Sequence, residues 1–178
     1  MSYGNNQVFG NDVNVLDTAQ LYPLGSTRTV LGSQSGKGDQ VWRYVVNAGA
    51  ASWTEGQVVL AVAATAQNLG TGQTATATAS LARNRILGVA QTYVTSVGAV
   101  SLFTVGAYGW VLMLGEGSIL NDSAGTLAAD ASFASSSAVA GSVEAAANSG
   151  IGANATIGVT HVSIAASTVG SAYIVCRP

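Results

Sequence analysis

A chain of 178 residues with 8% charged side chains, 48% hydrophobic ones and a formal net charge of −2 can bury one sizeable core. It has none of the basic clustering that nucleic-acid binding needs. The longest apolar run, Val58 to Ala64, stops far short of the roughly 20 residues that cross a bilayer, and a single His and a single Cys leave little of the usual catalytic inventory. The apolar content is mostly Ala and Val, with 22 Gly and only three Phe and three Trp, so a thin, sheet-dominated body with a core of small side chains is expected.

Residues 1 to 35 read as an extended N-terminal arm. They are rich in Asn, Gln, Ser and Gly, contain Pro23, and carry isolated apolar anchors at Tyr3, Val8, Phe9, Val13, Val15, Leu16, Leu21 and Tyr22, so regular sheet is not expected beyond one short strand. The anchors are too many for a solvated tail and too scattered for a core element, which favours an arm that docks over a disordered leader or a strand folded back on the body. Met1 to Gln7 lack the basic and apolar regions of a secretory signal, which points to synthesis and folding in a cytosol.

From Gln40 the chain reads as β-structure. Val41 to Val46 is aromatic and β-branched and ends at Asn47-Ala48-Gly49, Gln57 to Ala64 is the next strand, and Gly70 to Ala79 alternates Thr with Ala as a pleated strand with one polar and one small face would. Two stretches then echo one another. Ile86-Leu87-Gly88-Val89 is followed by Ala107-Tyr108-Gly109-Trp110-Val111, and Ile157-Gly158-Val159 by Ala172-Tyr173-Ile174-Val175. Two related β-units sharing one barrel or sandwich would explain the echo. The apolar run after Gly109 is too long for a strand with one face in water, so cover is expected from the body on one side and a neighbouring subunit on the other. Between the units, residues 121–155 form an Ala/Ser/Gly-rich insert, with Leu127 to Phe133 or Val143 to Ala147 as candidate helical turns.

Several chemical motifs are approached and not met. Gly32 to Gly38 has the wrong glycine spacing for a phosphate loop, and Gly38 stands where a magnesium-binding hydroxyl belongs. Gly70-Thr71-Gly72 is followed by Thr-Ala alternation instead of the helix a dinucleotide fingerprint needs. His161 has no partner at metal-ligand spacing, Asp122 and Asp130 fit no helix-loop-helix calcium site, and Cys176 in an apolar terminal strand reads as a packed thiol. Neither a catalytic residue nor a cofactor or metal is expected. Residues 86 to 176 contain no Lys or Arg, while Glu116, Asp122, Asp130 and Glu144 lie among them.

Taken in order, Leu24-Gly25, Arg43-Tyr44-Val45, Gly56-Gln57-Val58-Val59, Ile86 to Gln91, Tyr108-Gly109-Trp110-Val111, Gly115 and the terminal Ala172 to Pro178 resemble the head decoration, or cement, proteins of tailed bacteriophages. The resemblance covers most of the chain after the arm and rests on β-packing and turn residues that other viral β-modules share. It implies an all-β, mainly antiparallel fold, a small β-barrel or tulip-like or sandwich body over residues 36–178. It also implies a homotrimer on the outer surface of the virion that binds the major capsid protein between neighbouring subunits and stabilises the head. On that reading Tyr3, Val8, Phe9, Leu16, Leu21 and Tyr22 are the capsid-contacting residues of the arm, and Tyr108, Trp110 and Met113 form the β-core or an intersubunit contact. A monomer with few charges and open strand edges points independently towards oligomerisation. The competing reading is a tail-fibre or spike adhesin that binds a host glycan through Trp53, Trp110 or Tyr108, and a hydrolase with an unfamiliar Ser or Asp site is a third.

Overall fold

The computed structural model describes residues 13–32, 37–62, 70–74, 86–94, 100–122, 125–136, 138–146 and 156–176. The fold is all-β. Its strands are β1 (Thr27–Val30), β2 (Gln40–Asn47), β3 (Val58–Ala61), β4 (Thr71–Thr74), β5 (Ile86–Val89), β6 (Tyr93–Val94), β7 (Val100–Ser101), β8 (Tyr108–Leu120), β9 (Ser132–Ser135), β10 (Val143–Ala145), β11 (Gly158–Thr160) and β12 (Val169–Val175). Every ladder is antiparallel except β2 with β4. Among the described residues no helix is long and apolar enough to cross a membrane.

Strands β2, β4, β3, β5 and β8 close on themselves through the β2–β8 ladder, making a five-stranded barrel. The first half of β8 belongs to this barrel, from Tyr108↔Val46 to Leu114↔Val41. Its second half leaves and pairs with β12, from Leu114↔Val175 to Leu120↔Val169. The crossing point is Leu114–Gly115, and Gly115 has φ +115°. Beyond it, β8, β12, β11, β9 and β10 follow one another, and a parallel bridge from Asn121 to Val143 joins the last strand back to the end of β8.

The second lobe repeats the first, ladder by ladder. Val45↔Gly109 corresponds to Ile119↔Gly170, Val59↔Gly88 to Phe133↔Gly158, Val89↔Leu112 to Val159↔Tyr173, and the parallel pair Asn47↔Gly72 to Asn121↔Val143. The isolated bridge Trp53↔Phe103 corresponds to Leu127↔Ile164. The turns agree as well: Gly56 (φ +81°) and Gly106 (φ +79°) stand where Asp130 and Ser167 (both φ +58°) stand in the second lobe. The chain is thus two copies of one barrel unit that share β8.

One asparagine locks each copy. Asn47 Nδ2 donates to Ala51 O (3.0 Å) and Phe103 O (2.9 Å), and Asn121 Nδ2 donates to Gly125 O (2.8 Å), Ile164 O (3.0 Å) and Ala165 O (3.0 Å). Both side chains are buried, where an amide left without partners is costly.

Two apolar cores follow from this arrangement. Val45, Trp53, Val59, Leu87, Phe103 and Val111 fill the first barrel. A larger core joins the outer face of that barrel, Trp42, Tyr44, Trp110 and Leu112, to the interior of the second lobe, Ile119, Phe133 and Ile174. From Trp110 to Met113 the apolar run in β8 therefore has both faces covered, and the second cover is the chain's own lobe and arm instead of a neighbouring subunit, while Leu114 at its end is exposed. Val and Ala supply many of the buried side chains, and large ones sit among them: Trp53, Tyr44, Tyr93, Phe103 and Phe133 are among the largest fully buried. With few aromatics available, the fold spends them as plugs.

The described residues of the Ala/Ser/Gly-rich stretch at 121–155 belong to the second lobe instead of an insert between units. Where described, they carry β9 and β10 of the second lobe, so the candidate helical turn at Leu127–Phe133 is a turn followed by the start of β9, and of the candidate at Val143–Ala147 the residues Val143–Ala145 form β10, Ala147 lying outside the described residues. Ser and Ala are weak strand formers, and here tertiary pairing overrides propensity.

Candidate interaction surface

The arm is strapped across the outside of the first lobe. Asp17 N donates to Tyr108 O (2.8 Å) and accepts through its own carbonyl from Tyr108 N (2.9 Å), β1 runs beside β2, and Val13 and Val30 are buried. The Tyr44 hydroxyl donates to the Asp17 carboxylate (2.9 Å) and accepts from Leu21 N (3.1 Å). Burial pushes that phenol up to about 12. Tyr22 packs edge-on against Tyr44 (centroids 5.1 Å apart) and tilted on Trp110 (5.3 Å), and Tyr108 stacks on Tyr44 at 6.4 Å. Such aromatic contacts add to the area they bury.

Of the proposed arm anchors, Tyr3, Val8 and Phe9 lie outside the described residues. Leu16 and Tyr22 are partly buried against this chain's own cores, and Leu21 is 54% exposed. An arm truncated through residue 30 would lose Val13, Val30 and β1 and so would open the body as well as remove contacts. Trp110 and Met113 are buried and Tyr108 is half-buried. Trp53 sits at 0% exposure, paired with Phe103 at 4.5 Å between ring centroids. Neither Trp53 nor Trp110 presents a face to a ligand.

The remaining candidates are structural in their surroundings. Gly32 N donates to Asp39 Oδ1 (2.7 Å) across the Gly32–Gly38 turn, and residues 33–36 lie outside the described residues. Gly70-Thr71-Gly72 opens β4. His161 is exposed in a bend after β11. Asp122 accepts from the Ser136 hydroxyl (2.7 Å) in a buried contact, while Asp130 occupies a left-handed turn. Cys176 is buried, and desolvation raises its thiol to about 12 despite the Arg43 guanidinium nearby. Arg43 itself is buried, which lowers its pKa. Among the described residues no three His, Cys, Asp or Glu side chains are grouped as metal ligands.

Sequence reasoning missed one surface. On the outer face of the second lobe, Ser118 Oγ donates to Glu55 Oε1 (2.7 Å) and Ser171 Oγ to Glu116 Oε1 (3.2 Å). Tyr173, Val159 and Val169 beside them are 42%, 40% and 45% exposed. Of these, Val169, Ser171 and Ser118 correspond to Tyr108, Trp110 and Tyr44, which the arm covers on the first lobe, a relation that only the strand register reveals. No known protein family matches the chain and no curated protein is similar to it in sequence.

Proposed function

We propose that this protein is a structural component of a phage particle, which binds the outside of the capsid shell and reinforces it by bridging neighbouring major capsid subunits, as a homotrimer. The observation that carries the reading is the two-lobed β-body with its own arm strapped across it, together with the resemblance of Arg43-Tyr44-Val45, Ile86 to Gln91 and Tyr108 to Val111 to head decoration proteins. In this body the aromatic residues of those motifs serve packing. Two copies of one unit give a single chain two lobes of the same architecture, and a paired scaffold suits a bridge between repeated subunits. Each added contact would raise avidity without any new chemistry, and binding that exists only in the assembled shell stabilises that shell by mass action. The adhesin reading loses the two indoles it relied on, because Trp53 and Trp110 are both core residues.

The test is co-sedimentation of the purified protein with expanded phage heads, with sedimentation equilibrium of the protein alone. Saturable binding by a trimer is expected. A stable monomer that leaves heads undecorated, and that binds glycans on an array, would overturn the proposal.

A further inference from the structure

Among the described residues, the duplicated fold leaves one position filled in the first lobe and open in the second. On the first lobe the edge of β8 at Tyr108 is closed by Asp17 of the arm, and the face beside it, Tyr44 and Trp110, is covered by Tyr22. The register makes Val169 the counterpart of Tyr108, Ser171 that of Trp110, Ser118 that of Tyr44 and Glu116 that of Trp42. Asn121 N donates to Thr168 O (2.9 Å) and Val175 N to Ile157 O (2.8 Å), so alternation along β12 turns the backbone groups of Val169 and Ser171 away from β8, towards the side of β11. Strand β11 ends at Thr160, opposite Ala172. Ser171 therefore lies opposite His161, where β11 has ended, and among the described residues no strand lies alongside Val169.

An unpaired edge beside exposed apolar side chains is a template for strand addition. Charge selects the occupant. The strap on the first lobe brings a carboxylate, Asp17, to a tyrosine hydroxyl. The matching face of the second lobe already bears two carboxylates, Glu55 and Glu116, each held by a serine hydroxyl, and no Lys or Arg occurs anywhere from residue 86 to 176. A second acidic strap would be repelled, whereas a cationic side chain would meet both carboxylates in a partly desolvated setting.

We propose that the β12 edge at Val169–Ser171, with Glu55, Glu116, Tyr173 and Val159, is a docking site for an extended, Lys- or Arg-bearing segment of a partner protein, which adds to the second lobe as the arm adds to the first. The site is independent of the shell reading, and its test needs no capsid.

The test uses the full chain and two labelled peptides spanning residues 13–23, one of native sequence and one carrying Asp17→Lys, followed by fluorescence anisotropy and amide hydrogen exchange. The lysine peptide is expected to bind about tenfold or more tightly than the native one at low salt and to weaken as salt rises. It should slow exchange at Val169 and Ser171 and leave Tyr108 unchanged. Val169→Pro removes an outward N–H at the first position of a strand, where proline is tolerated, and should cut binding with little change in melting temperature; Glu116→Gln should remove most of the preference for lysine. Equal affinity of the two peptides, no saturable binding, or unchanged binding to Val169→Pro would overturn the proposal. Protection at Tyr108 in place of Val169 would overturn it too, as strap exchange on the first lobe. Altered sedimentation of Val169→Pro on its own would assign the edge to a second copy of this chain and likewise overturn it.

Discussion

The four left-handed turn positions give the sharpest test of the duplicated fold. Gly56 and Gly106 occupy equivalent kinds of turn, at φ +81° and +79°, but their surroundings differ. A Cβ on Gly56 would lie 2.4 Å from Leu120 N and 2.6 Å from Ile119 C, whereas one on Gly106 would meet nothing within 4 Å. Gly106→Ala therefore costs only the left-handed conformation, about 1–2 kcal/mol, partly offset by about 0.4–1 kcal/mol from a stiffer unfolded chain. Gly56→Ala adds overlap with rigid backbone of the shared strand, a further penalty of about 1–3 kcal/mol or more. In the second lobe Ser167 already bears the strain at the position of Gly106, so Ser167→Gly should be neutral or gain up to about 1 kcal/mol. Asp130→Gly should gain less, because Asp tolerates this region better. For a chain of this size each kcal/mol moves the melting temperature by about 2–4 °C. Thermal and guanidinium unfolding should order the variants with Gly56→Ala lowest, Gly106→Ala intermediate, and Ser167→Gly at or above the parent. If Gly106→Ala were as damaging as Gly56→Ala, or if Ser167→Gly lost more than about 1 kcal/mol, the assigned equivalence of the turns would be refuted.

Other consequences can be checked with the same unfolding assays. Asn47→Ala and Asn121→Ala should each cost about 1–3 kcal/mol, because each strips the donor from buried carbonyls in the same corner of its lobe; a large cost at one and none at the other would contradict their shared role. Trp110→Ala should cost about 3–5 kcal/mol by emptying the core between the lobes, with an unchanged midpoint placing the indole on a binding surface instead. Tyr44→Phe removes the hydrogen bonds that hold Asp17 and Leu21, and should speed proteolysis within residues 18–21 while costing about 1–2 kcal/mol. Alkali should destabilise the fold with a defined onset. Burial raises the Cys176 thiol from 9.0 to about 12 and the Tyr44 phenol from 10.0 to about 12, so the folded chain holds protons that the unfolded chain releases. This stability is complete below about pH 9 and is lost as pH climbs from there towards 12. Cys176→Ala should delay the onset to about pH 10, where tyrosine begins to ionise in the unfolded chain.

Much of the fold was legible because strand grammar is local. The β-branched and aromatic run at Val41–Val46 became β2, and Ile86-Leu87-Gly88-Val89 and Ile157-Gly158-Val159 proved equivalent through Gly88 and Gly158. The second half of the echo was read out of register: Ala107-Tyr108 corresponds to Thr168-Val169, and Ala172 to Val111. A one-letter likeness in an Ala-rich chain carries little weight beside a ladder. The rest of the duplication leaves almost no trace in residue identity, since Trp53 corresponds to Leu127 and Gly56 to Asp130; what is kept is volume at the plug and a left-handed turn. The second lobe was mistaken for an insert for the same reason, because Ala and Ser strands announce themselves weakly. Trp53 stands between the polar residues Ser52 and Thr54, and its bridge partner Phe103 lies far away in sequence, so nothing local marks it as a plug. The edge at Val169–Ser171 had no local signal at all: it became visible only by asking what Asp17 does in the other lobe.

An image reconstruction of expanded heads mixed with the purified protein decides whether this chain bridges subunits on the outside of a phage shell. Added density is expected on the outer surface, large enough for paired small barrels, at positions where capsid subunits meet. Heads without added density, or density confined to the tail, would contradict it.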